Sequence, residues 1–64
     1  MNKIKLKRLD AGLTQAELCK MVKTSPKKLV AIERGDIGHT NLSLMMRIAT
    51  ALNSTVQELF LNEE

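Results

Sequence analysis

Small polar residues stand immediately before helix-forming runs at Thr14, Ser25, Asn41 and Thr55, and this recurrence constrains the chain more than any other feature. A Ser, Thr or Asn in that position accepts a hydrogen bond from a backbone N–H that the start of a helix leaves without a partner. Thr14 and Thr55 are each followed three residues later by a glutamate, Glu17 and Glu58, which is the spacing of a capping box. Pro26 follows Ser25, at the first helical position, where its missing N–H costs nothing. Gly12 supplies a stop ahead of the first cap, so one more helix precedes it, over roughly residues 2–11. So many starts in 64 residues leave room only for short helices with tight connections.

The apolar spacing agrees. Ile4, Arg8 and Ala11 share a face of the first helix, with Leu6 and Leu9 beside it. Leu18, Cys19 and Val22 form an inward stripe on the second, which ends near residues 21–22. Leu29, Ile32 and Glu33 share one face of the third, which Arg34-Gly35 ends, while Lys27, Val30 and Ala31 point elsewhere. A polar loop over residues 36–40 leads to Asn41 and a fourth helix that buries Leu44, Met45, Ile48, Ala49 and Leu52. Thr55 opens a short fifth helix with Leu59 and Phe60. The four methionines are expected to be mostly core filler and not a cofactor site. The expected fold is all-α: a compact five-helix domain over residues 1–64, its second and third helices forming a helix-turn-helix pair.

Charge narrows the function. Residues 1–34 hold nine Lys and Arg against three acids, a balance of +6, whereas residues 35–64 hold Arg47 against four acids, a balance of −3. A basic half beside an acidic one suits a polyanion-facing surface. Phe60 is the only aromatic residue, too few for stacking on single-stranded bases. One cysteine excludes an internal disulfide, and Cys19 with His39 makes neither a metal set nor a nucleophile–base pair. No P-loop, dinucleotide fingerprint or Ser/His/Asp set is present, so the expectation is a non-enzyme without cofactor or metal. No run reaches membrane-spanning length and the start lacks the layout of a signal peptide, which leaves the cytoplasm as the expected compartment.

At GLTQAEL (12–18) and VAIERG (30–35) the chain resembles the helix-turn-helix family of phage repressors, Cro proteins and XRE-type bacterial regulators. The resemblance runs from Ile4 and Arg8 to the ending IATALNSTVQELF (48–60). It implies a lambda-repressor-like fold that inserts the helix beginning at Ser25 into the major groove of double-stranded DNA. It implies a phosphate contact at Gln15 and a structural ion pair between Arg8 and Glu33. It implies that Arg34, Thr40 and Asn41, with His39, lie by the loop beside the DNA backbone. The chain departs from the family pattern at Cys19, where a small residue is usual, and at Lys23, where glycine is usual and often takes left-handed angles. The loop after Gly35 is one residue longer than the common pattern. Pro26 stands where many relatives carry a polar base-reading residue.

Two lysines at the start of the third helix are opposed by its macrodipole, which favours acids there. They make sense if an anion docks at that end. Lys27 is assigned to base or phosphate contact and Lys28 to phosphate, with Ser25 and Pro26 at the same helix start. Val30 or Ala31 suits a thymine methyl, unless partly buried. Lys5, Lys20 and Lys23 are general electrostatic contributors or solvated.

One such module covers few base pairs, so a homodimer on a palindromic operator is expected. The candidate dimer surface is Val56, Leu59, Phe60 and Leu61, with closure of the monomer core as the other reading of Leu59 and Phe60. The leading function is a transcriptional regulator, a repressor of prokaryotic, phage or mobile-element origin, with no membrane or small-molecule partner. The alternatives are an antitoxin-like or other protein-interaction module on the same fold, and non-specific nucleoid coating.

Overall fold

The structure is a computed structural model, and it describes residues 3–61. Five helices follow one another: α1 (Ile4–Asp10), α2 (Gln15–Val22), α3 (Pro26–Glu33), α4 (Leu42–Ala51) and α5 (Val56–Phe60), with no strand among the described residues. Each of the four polar caps accepts the bond its position offers. Thr14 Oγ1 accepts from the Glu17 N–H at 3.1 Å, and Glu17 Oε1 accepts from the Thr14 N–H at 2.8 Å, closing the capping box. Ser25 Oγ accepts from the Lys28 N–H at 3.1 Å and Asn41 Oδ1 from the Leu44 N–H at 2.8 Å. Thr55 Oγ1 accepts from the Glu58 N–H at 3.0 Å, but Glu58 does not return the bond. Its carboxylate lies instead 3.6 Å from Lys7 Nζ on α1. The expected second box is therefore half a box, because a nearby cation competes for the carboxylate.

The core takes Ile4 from α1, Leu18, Cys19 and Val22 from α2, Leu29 and Ile32 from α3, and Leu44, Ile48, Ala49, Leu52 and Leu59 from the rest. Burying large aliphatic side chains contributes about 1.5–3 kcal/mol each, which is how so small a domain offsets its ordering entropy. Ile37 packs against the same core from the loop after α3 and anchors that loop.

Two expectations change. Met21 and Met46 are 52% and 55% exposed and Met45 is half-buried, so the described methionines do not fill the core. Met21 falls off the stripe of Leu18 and Val22, and Met46 lies two positions from the buried Leu44 and Ile48. Met1 lies outside the described residues. Leu6, Leu9 and Ala11 are exposed, because only Ile4 and Arg8, one turn apart, face inward on α1. Leu59 is 2% exposed and lies in the core, the second of the two readings given for it. Val56 and Phe60 are half-buried against that core, and Leu61 is 60% exposed.

Lys23 takes the left-handed conformation, φ 61° and ψ 53°, that ends α2. Its N–H and that of Thr24 both donate to the Cys19 carbonyl, the second at 3.1 Å. A side chain in that region crowds the following carbonyl at a cost of about 1–2 kcal/mol. Lys23→Gly is expected to stabilise the protein by about 1 kcal/mol, part of the relief being offset by the freer unfolded chain. A domain this size converts that to a rise in Tm of about 4–8 °C, read by thermal circular dichroism.

Candidate nucleic-acid interface

Helix α3 is built with two sides. Leu29, Ile32 and Glu33 are buried, while Lys27, Val30 and Arg34 are exposed and Ala31 half-buried. At about 100° per residue, Lys27, Ala31 and Arg34 line up along the outward ridge, with Val30 on its shoulder. The first turn of α3 contains no acidic residue, so Lys27 and Lys28 face its dipole without a local counterion.

A hollow lies along each flank of the ridge. One is lined by Ser25, Lys27, Lys28, Ala31, Asp36 and His39, between α3 and the loop that follows it. The other is lined by Lys5, Gln15, Val30, Glu33 and Arg34, where α1, the start of α2 and the end of α3 meet.

The frame behind the second hollow is an ion pair with attendants. Arg8 Nε donates to Glu33 Oε2 at 2.7 Å and Nη2 to Oε1 at 3.4 Å, with Arg8 6% and Glu33 7% exposed. Arg8 Nη1 donates to the Leu13 carbonyl at 2.9 Å, and Gln15 Nε2 to Glu33 Oε1 at 3.1 Å. The paired charges thus set the angle between α1 and α3, and Glu33 holds the start of α2 in place. Gln15, expected at a phosphate, is half-buried and has its amide engaged by this network.

Each remaining candidate has a definite environment. Lys27 is exposed on the ridge, whereas Lys28 is half-buried and donates from Nζ to the His39 carbonyl at 2.9 Å, tying the loop to α3. Ser25 is exposed and its oxygen already caps α3, while Pro26 beside it is exposed. The Thr40 hydroxyl oxygen is buried without a hydrogen-bond partner, so that side chain presents no donor at the surface. Asn41 is exposed, with Oδ1 spent on capping α4. Burial, and then the Glu33 carboxylate, push the Cys19 thiol up, which keeps it protonated in the core.

Sequence reasoning missed Arg47. It donates from Nε to the Val22 carbonyl at 3.0 Å and from Nη1 to Ser43 Oγ at 2.7 Å, so it closes the end of α2 from α4. The one base of the acidic half is thereby committed to holding the two-helix unit. Among the described residues, no group of three or more His, Cys, Asp or Glu side chains could hold a metal ion, and no helix is long and apolar enough to cross a membrane.

Residues 4–59 match the model of a helix-turn-helix family, from the first residue of α1 into α5. No curated protein matches the chain.

Proposed function

The chain belongs to the XRE/Cro-like helix-turn-helix family of DNA-binding transcriptional regulators, and from that premise we propose that it is a repressor that reads double-stranded DNA with α3 in the major groove. The observation that carries this reading is the uncovered ridge of Lys27, Ala31 and Arg34 with Val30 beside it, on a helix whose opposite face is locked into the core. In this reading Lys27 reaches base edges, Val30 and Ala31 meet thymine methyls, and Arg34 binds backbone phosphate. Ser25 and Pro26 sit at the point of closest approach, where Pro26 supplies shape and no donor. Lys28 works at one remove by holding the loop of His39 and Thr40 against α3, with Asn41 at its far end. Gln15 reaches phosphate through its second amide N–H. The protein acts in the cytoplasm.

Two copies pair through the exposed Leu61 with the half-buried Val56 and Phe60, placing their α3 helices on a palindrome with half-sites about one helical turn apart. Glu63 and Glu64, the acidic end of the chain, lie outside the described residues.

Selection from a randomised duplex library near physiological salt tests this directly. The expected result is one enriched palindromic site. A folded protein that enriches nothing would overturn sequence-specific regulation by the protein alone. A protein-interaction module draws support from Leu42 and Met46, exposed one turn apart on α4. A stoichiometric protein co-purifying from the host would favour that reading.

A further inference from the structure

The second hollow holds a residue that the helix-turn-helix pair itself does not account for. Lys5 belongs to α1, outside that pair, yet it lines the hollow with Arg34, Gln15 and Val30. The acid in the same wall, Glu33, is neutralised: Arg8 binds both of its oxygens and Gln15 one of them. The exposed charge of the hollow is therefore the pair of cations, Lys5 and Arg34.

The two hollows lie on opposite sides of the α3 ridge. One takes Lys27, Lys28 and Ala31 from α3, and the other takes Val30, Glu33 and Arg34. A helix lying in a major groove has one phosphate backbone along each flank. From this we propose that Lys5, with Arg34, seats a backbone phosphate of the strand opposite the one that faces Lys28 and His39. The proposal rests on α3 being the groove helix, and it makes α1 a third DNA-contacting element. Contacts on both strands would fix how far α3 rotates about its own axis in the groove, which contacts on one strand leave free.

The test uses the selected duplex and three proteins: wild type, Lys5→Gln and Lys20→Gln. Lys20 is an exposed lysine of the same basic half that lines neither hollow. Loss of one seated phosphate contact removes about one released counterion, so Lys5→Gln is expected to weaken binding about fivefold near 0.15 M salt and to lower the salt slope by about one. It should weaken every duplex alike and leave the base preferences unchanged. A single uncharged methylphosphonate, scanned along each strand, should weaken the wild type at one position where Lys5→Gln shows no further loss. That position should lie on the strand along the flank of α3 that carries Val30 and Arg34. Wild-type affinity and slope in Lys5→Gln, or an equal loss in Lys20→Gln, would overturn the seated contact. A wild-type protein that binds no duplex would overturn the functional reading, and this inference with it, before any variant is compared.

Discussion

Arg8→Ala is expected to destabilise the protein by about 3–5 kcal/mol, because it strands the largely buried Glu33 carboxylate without its charge partner. A domain of this length is stable by only about 3–10 kcal/mol in all. The variant should therefore melt about 12 °C or more below wild type, or be largely unfolded at 37 °C, as followed by circular dichroism. The surface pair of Lys7 and Glu58, both partly exposed, makes the contrast: Lys7→Ala should cost less than about 1 kcal/mol. The loss in Arg8→Ala comes from an unpaired buried charge and not from attraction as such. The double variant Arg8→Met with Glu33→Leu should consequently recover most of the stability. Recovery should stop short of wild type, because the Leu13 carbonyl and the Gln15 amide lose their partners. An Arg8→Ala protein that melts within about 4 °C of wild type would show that Glu33 finds another partner or water, and the ion pair would not be what fixes α1 against α3.

The helices were readable in the sequence because their signals are local. A cap is a bond across three residues, so Thr14 and Glu17, Ser25 and Lys28, and Asn41 and Leu44 carry their partners within sight. Burial of Leu29, Ile32 and Glu33 follows from helical period for the same reason. Side-chain bonds to distant backbone carbonyls were not readable. Lys28 to the His39 carbonyl spans eleven residues and Arg47 to the Val22 carbonyl twenty-five. Any residue supplies a carbonyl, so such an acceptor leaves no mark on the sequence. Lys5 escaped for a related reason: its place in the second hollow depends on how α1 packs on α3, which the Arg8–Glu33 pair determines and no short motif encodes. Competition misled the reading of Glu58, where the local partner expected from the capping box lost to Lys7.

Lys27→Ala is expected to separate stability from binding, moving them in opposite directions. Lys27 and Lys28 are neighbours in the sequence and differ in the fold. Lys28 has a carbonyl to hold its ammonium, whereas Lys27 is exposed on the ridge of α3. Opposed by the helix dipole, Lys27 costs the free protein about 0.3–1 kcal/mol. Removing it should hold or raise Tm by a few degrees. The same change should weaken binding to the selected duplex by about 1–3 kcal/mol, roughly ten- to a hundredfold, if Lys27 donates to guanine O6 and N7. That loss should be confined to sequences with guanine at one position, leaving a relaxed preference there. A uniform loss across all sequences, with a salt slope lower by about one, would place Lys27 on a phosphate instead. Lys28→Ala should behave otherwise, lowering affinity while loosening the His39 loop, seen as faster amide exchange at residues 38–40 in the free protein. A residue that destabilises the free protein yet sharpens its choice of duplex has been placed for the complex, and that opposition of signs is what a merely solvated lysine cannot produce.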